Sequence, residues 1–291
     1  GSKTLDGTKT VATIDGTDIP LGIVSLYARQ QQEQTTAMYL SFMGSADNIW
    51  DTSDDSGETY GEQAVDSSLK AVELMYLLKE KAADYNVEIT DDEETAIADA
   101  ASQFMSDNSE ETIKELGVTE DQVKTLLELR TIQQKTHDSI VAEGNITVSD
   151  DEANQSSFTY VSISTSGDDI TDDEKAEKKE QAQEILDKMK EDPTADMSEV
   201  AKEVDDSYSA VQGNFTVKES DDEDSSAYPE EVLTVLRGLT EGEVASDIIE
   251  TDTGYYVVRL DKVLDEDATA SKRESLKSSK EEDYYTETTD G

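Results

Sequence analysis

Cysteine is absent from this chain, which removes disulfides, zinc–thiolate sites and cysteine nucleophiles together. Histidine is nearly absent: His137 is the only one, so a catalytic zinc site has no ligand set. A Ser–His–Asp arrangement built on His137 would carry no information among so many serines and aspartates, and a surface or partly packed helical histidine is the reading. No apolar run reaches the ~18 residues that a membrane-crossing helix needs. Bases are scarce, 24 Lys and Arg against 70 Asp and Glu, for a net charge of -46. Such a charge repels nucleic acid and anionic membrane surfaces, so neither is an expected partner. Hydrophobic content is only 34 %, which with this charge would suit a disordered chain. Apolar periodicity over most of the length argues the other way, and the acidity marks a solvated surface. Nothing in the sequence implies a cofactor or a metal.

What is present is mostly helical punctuation. The 291 residues suit two domains. Val11 to Pro20 reads as two short strands around an Asp15-Gly16 turn, and Pro20 suits the first turn of a helix reaching about Met43. That helix carries a weakly apolar side with Ile23, Leu26, Tyr27, Gln30 and Met38. With Tyr39, Phe42 and Met43, it could line a promiscuous peptide groove as well as pack a core. Residues 44–61 read as a loop holding the sole tryptophan, Trp50. Asp51 to Glu58 has the acids of a calcium loop, but its glycine stands seventh instead of sixth and no glutamate stands twelfth; a solvated loop is the reading. The acids of 219–224 are read the same way.

A stronger helix follows over about 62–85. Thr90-x-x-Glu93, Thr119-x-x-Gln122, Ser149-x-x-Glu152 and Thr171-x-x-Glu174 each have capping-box spacing, in which hydroxyl and carboxylate or amide satisfy one another's free backbone N–H groups at a helix start. From Phe158 the pattern changes. A short strand (158–163) is followed by a helix with the stripe Ala182, Ile185, Leu186, Met189, broken at Pro193, and by a second with Met197, Val200, Ala201 and Val204. Then come an extended piece near Gly213–Val217, a helix after Tyr228-Pro229, extended chain at 244–249 and a last strand at 254–260. The order is β-α-α-β-α-β-β, and a charged tail begins near Asp265.

That order resembles a parvulin-type prolyl isomerase domain. The resemblance is carried by Gly238-Leu239-Thr240-Glu241-Gly242-Glu243-Val244, similar to the family's "A-L-K-P-G-E-V" turn, and by Thr253-Gly254-Tyr255-Tyr256-Val257-Val258, similar to "F-G-Y-H-I-I". Met197 to Asp206 is similar to "F-x-E-L-A-K-E-Y-S-D". Upstream, Val11-Ala12-Thr13-Ile14-Asp15-Gly16 before a helix resembles the opening of the PrsA and SurA class of foldases.

The resemblance implies an α+β chain with a helical chaperone lobe over 1–150 and a parvulin-like domain over 151–264 bearing a four-stranded mixed sheet. It also implies a tail over 265–291 that returns to the helical lobe. It further implies an extracytoplasmic bacterial foldase or holdase, with a lipid anchor upstream of Gly1 and a homodimer both compatible with the class. Its partners would be unfolded or proline-containing polypeptides. By the same resemblance the first-strand histidine of the family falls on Val161, the last-strand histidine on Tyr256, the Cys or Asp facing substrate near Ser207, and the pocket phenylalanine near Val232. The shortened glycine turn brings in Phe215. Val161, Ser207, Phe215, Val232 and Tyr256 are therefore the expected substrate-binding set. Prolyl isomerisation needs a pocket that favours the twisted amide across a barrier of roughly 18–20 kcal/mol, not a nucleophile. With both histidines replaced, weak or absent catalysis is expected. An active isomerase and a cell-surface adaptor for one fixed partner are the alternatives.

Overall fold

The computed structural model describes residues 5–43, 60–219, 224 and 227–289. The readings for Trp50, for the 51–58 loop, for the acids 220–223 and for the side chains of Met38, Tyr39, Phe42 and Met43 lie outside the described residues. The chain is α+β and divides into two compact units, Gly1–Gly144 with Thr288–Gly291, and Asn145–Glu287.

The first unit opens with the hairpin β1 (Thr10–Ile14) and β2 (Thr17–Pro20). Asp15 and Gly16 both sit at positive φ, 46° and 83°, the conformation that a tight two-residue hairpin turn requires and Asp-Gly supplies. Helices α1 (Leu21–Met43) and α2 (Tyr60–Lys81) follow, with a 3₁₀ turn at Ala82–Tyr85, then α3 (Asp91–Asp107), α4 (Glu110–Leu116) and α5 (Glu120–Glu143). Their apolar stripes meet in one core that includes Ile19, Ile23, Leu26, Val72, Met75, Leu126 and Leu129. The capping boxes at Thr90 and Thr119 form in full, each hydroxyl accepting from the N3 backbone and each N3 side chain accepting in return. His137 lies half-buried on α5 with its ring 3.4 Å from the Asp138 carboxylate.

Three glycines draw the amino-terminal segment onto α4. Gly117 ends α4 in the left-handed region (φ 67°), and Gly22 donates its backbone N–H to the Gly7 carbonyl at 2.9 Å. A Cβ at Gly117 would stand 2.6 Å from the Leu5 carbonyl oxygen and 3.0 Å from the Gly7 nitrogen. Gly117→Ala is expected to destabilise this unit by more than the ~1–2 kcal/mol that left-handed backbone costs an L-residue, because the contact is backbone on backbone. A urea titration followed by circular dichroism measures it, and an unchanged midpoint would show that the segment is free to move away.

In the second unit, α6 (Asp150–Ala153) leads into β3 (Gln155–Ser164), then α7 (Asp172–Glu191), α8 (Met197–Val204) and β4 (Val211–Thr216). Helix α9 (Glu230–Arg237), β5 (Ile249–Thr251), β6 (Gly254–Lys262) and α10 (Glu266–Thr289) complete it. Ser149 forms a full capping box, whereas Thr171 caps α7 through the Glu174 N–H alone. The strand order is β4-β3-β6-β5 and every pairing is antiparallel. The expectation of a mixed sheet is corrected here. A helix between two strands usually returns the chain for a parallel pairing, but two helices, α7 and α8, leave β3 and come back to the same end of the sheet.

The sheet buries both faces. Val161 and Ile163 of β3 pack with Ala182, Ile185, Leu186 and Met189 of α7 and Met197 and Ala201 of α8. Phe158 and Tyr160 point the other way, toward Phe215 and the α9 residues Val232, Leu233 and Leu236. Arg259 holds the turn between α7 and α8 to the first face: its Nη1 donates to the Pro193 and Ala195 carbonyls at 3.0 and 2.9 Å, and its Nε to Asp261 at 2.8 Å.

Helix α10 buries no residue, so it owes its place to polar ties. Asp265 caps its start, Thr269 Oγ1 accepts from the Gln155 N–H, and Arg273 reaches the Val148 carbonyl and Asp150. Lys280 lies 2.6 Å from Glu152. The Lys280 ammonium and the Ser149 cap hold the Glu152 carboxyl down at about 2. A depressed carboxylate favours the folded state above the ordinary value near 4.5, and that contribution is lost as pH falls through about 2. Carbon-detected titration is expected to show Glu152 still ionised at pH 3. In Lys280→Ala it should titrate appreciably higher, and an unmoved midpoint would mean that the ion pair does not form in solution.

A tyrosine-lined face on the parvulin-like sheet

On the α9 side the sheet displays a run of aromatic rings. Phe158 is fully buried and acts as their hub: its ring stacks on Tyr160 at 5.3 Å and meets Phe215 and Tyr228 edge-on at 5.6 and 5.0 Å. Tyr160 in turn contacts Tyr228 at 5.9 Å and Tyr256 at 5.8 Å. Perpendicular and offset pairs of this kind set the negative face of one ring against the positive edge of the next. Tyr160, Tyr228 and Tyr256 are each half-buried, with one side left to solvent, and the half-buried Val235 and Leu239 pack beside them.

Sequence and backbone explain how the rings come together. Residues two apart on a strand share a face, so Phe158 and Tyr160 of β3 must lie together. Tyr256 of β6 stands directly opposite Ser162 in the antiparallel register, two pairs along from Tyr160 and Val258 and so on the same face. Tyr228 arrives from the segment before α9 and lays its hydroxyl against Gly213 of β4. A side chain at 213 would run into that hydroxyl and into the Phe158 ring. The Asn214 backbone N–H bonds the same hydroxyl, while burial, with Tyr160 close by, raises its pKa above the ordinary tyrosine value. Burial raises Tyr256 as well, again with Tyr160 beside it. Both phenols therefore remain neutral hydrogen-bond donors throughout the physiological range.

The five residues expected to form the site are only partly gathered. Phe215, Val232 and Tyr256 share this face, the first two fully buried as its floor and Tyr256 at its surface. Val161 does not join them. It pairs with Val257 and faces the α7–α8 core at 1 % exposure, so two groups meant to act together across β3 and β6 must be Tyr160 or Ser162 with Tyr256. The displacement is one residue, and a one-residue slip reverses the face of every side chain in a strand. Ser207 sits in the exposed loop after α8, its hydroxyl donating to Asp205 at 2.6 Å. Sequence reading missed Tyr160, Tyr228 and Phe158. For Phe158 and Tyr160 the signal was their two-residue alternation, visible once the strand's inward face is known.

Among the described residues no cluster of side chains could hold a metal ion, and no helix is long and apolar enough to cross a membrane. The face as built is a neutral, donor-bearing aromatic surface suited to an apolar ring with an adjoining amide.

Residues 161–262, about a third of the chain, match the family model described as Rotamase, the PPIC-type PPIASE domain. The matched residues run from β3 through β6 and so span the sheet just described. Over its length it is similar to PrsA from Bacillus subtilis at 15 % identity, with 97 % of this chain and 91 % of that one covered and a TM-score of 0.28. It is also similar to the peptidylprolyl isomerase PrsA of Bacillus cereus at 15 % identity, covering 97 % and 89 % with a TM-score of 0.35. The foldase protein PrsA of Streptococcus pneumoniae stands at 13 %, covering 94 % and 87 %, with a TM-score of 0.28. None of the curated proteins matches significantly.

Proposed function

We propose that this chain is an extracytoplasmic protein-folding factor that binds unfolded or proline-containing polypeptide, and that its parvulin-type domain is weak or inactive as an isomerase. In this reading residues 1–150 form a peptide-binding lobe, 151–264 the parvulin-like domain, and 265–291 a segment completing the lobe. A lipid anchor upstream and a homodimer belong to the same reading. The observation that supports it is the pair Tyr160 and Tyr256 on the α9 side of the sheet, within the residues that match a PPIC-type PPIASE domain, with rings 5.8 Å apart.

A prolyl ring stacks on tyrosine faces, and a phenol O–H donates to the neighbouring carbonyl, so this surface holds the planar and the twisted amide with comparable strength. Uniform binding of ground and transition states does not speed a reaction. The histidines that tune hydrogen bonding in the family have no counterpart here, and the Ser207 hydroxyl is engaged by Asp205.

Prolyl cis/trans exchange measured by NMR on short Ala-Pro peptides tests the reading. Broadened peptide resonances without faster exchange are expected. Exchange well above the uncatalysed rate would make the domain an active isomerase using phenols. No effect of either kind would point to an adaptor for a single partner.

A further inference from the structure

The first unit holds a groove of about 410 Å³ between α3 and α5. Its floor is Ala96, Ile97 and Ala100 of α3 with Leu127 of α5, a mainly apolar surface whose two alanines are exposed and leave room for an incoming side chain. Two cations border it, Lys135 and Arg130, and they differ in how they are satisfied. Lys135 lies 2.5 Å from Glu93 and also donates to the Glu88 carbonyl, so its charge is met. Arg130 meets no carboxylate among the described residues. Its guanidinium lies 5.0 Å over the Tyr27 ring, Nη2 donates to Gln30 Oε1 at 2.7 Å, and Nε is buried with no hydrogen-bond partner.

A half-buried guanidinium with only neutral partners among the described residues is unusual in a chain whose acids outnumber its bases 70 to 24. Burying a charge without a counter-charge costs free energy, and a guanidinium fork is the group best shaped to accept a carboxylate in two parallel hydrogen bonds. The Tyr27 ring and Gln30 hold the fork in place beforehand, so an incoming anion needs little reordering to use it.

We infer that the α3–α5 groove is a polypeptide-docking site that takes a segment with an aliphatic side chain next to an Asp or Glu, the aliphatic group on the alanine floor and the carboxylate on Arg130. The polypeptide nature of the occupant rests on the function proposed above; the groove and the Arg130 guanidinium do not. Selectivity follows from the balance of charge. The surface as a whole repels heavily acidic chains, so the site selects apolar segments bearing a single acid.

The test uses the whole chain and two labelled, unstructured peptides, identical except that one carries Leu-Glu where the other carries Leu-Gln. Affinities are read by fluorescence anisotropy at 0.15 M salt, where exposed charges are screened beyond about 8 Å. The Glu peptide is expected to bind about tenfold more tightly, the gain of one charge-assisted contact. Arg130→Gln should abolish the difference between the two peptides. Ala100→Trp, an exposed position that needs no repacking of the core, should weaken both peptides by filling the floor. Equal affinity of the two peptides for the unaltered chain, or full Glu-peptide binding by Ala100→Trp, would overturn the inference. Suppression of aggregation of an unrelated unfolded protein, followed in parallel, separates the two readings. If suppression persists without Glu preference, the groove assignment fails and the foldase reading stands; Glu preference without suppression gives the reverse.

Discussion

Phe158→Ala is expected to destabilise the second unit by about 3–5 kcal/mol, the range for deleting a buried phenylalanine. The ring is fully buried and touches three others at centroid distances of 5.0–5.6 Å, so its removal leaves a cavity that those rings cannot close by small shifts. Gly213 adds a second reason. The β4 backbone approaches the Phe158 ring so closely that no side chain fits between them, and a hole at 158 would be bordered by main chain that cannot relax inward. Near-ultraviolet circular dichroism, to which these packed tyrosines contribute, should weaken along with the urea midpoint of the second unit. The first unit's helical signal should persist to its own midpoint, because the two units have separate cores. Phe158→Leu, which keeps most of the volume but loses the ring pairs, should cost less than half as much. Equal losses for Leu and Ala would mean that ring geometry matters more than packing volume. Proline-peptide binding should fall in both variants, since Tyr160 and Tyr228 lose the wall that orients them.

Much of this architecture was legible from local pattern. Capping spacing located the starts of α3, α5, α6 and α7, the Asp15-Gly16 turn located the first hairpin, and the 3.6-residue stripes gave the partners of α7 and α8. These signals act over a few residues, so they survive without knowledge of the fold. Three features were not legible, each for a different reason. Strand direction in the four-stranded sheet depends on where α7 and α8 return the chain, which no alternation pattern encodes. Helix α10 has no apolar stripe, being anchored by Thr269, Arg273 and Lys280 at sequence distances above 100 residues; its charge suggested a tail. Val161 lies on the opposite face from Tyr256, which the sequence could not show because matching a short motif to a strand without its histidine leaves the register free by one residue, and only the pairing of Ser162 with Tyr256 decides which side chains share a face. Tyr228 was hidden further, since its approach is set by Gly213 on another strand.

Arg237→Ala should rival Phe158→Ala in effect, although Arg237 is not one of the tyrosines that line the face. The residue closes α9, and its Nη2 donates to the Thr216 carbonyl at 3.1 Å and lies 3.4 Å from Asp224. Asp224 in turn accepts the Thr216 N–H at 2.9 Å and is only 9 % exposed. Thr216 belongs to the outer strand of the sheet, so both of its backbone groups, otherwise open to pairing with another chain, are used internally. The guanidinium also lies 5.5 Å over the Phe215 ring, which joins this lock to the aromatic floor. Removing Arg237 alone strands the Asp224 carboxylate in a nearly dry position, and breaking one side of such a pair costs about 3–5 kcal/mol. Removing both charges by Arg237→Met with Asp224→Asn should cost much less than the sum of the single changes, because no uncompensated charge remains. A double-mutant cycle from urea denaturation measures that coupling. Additive losses would show that the pair acts through packing alone. Strong coupling would show that electrostatic closure of the β4 edge keeps the segment before α9, and with it Tyr228, seated against Gly213.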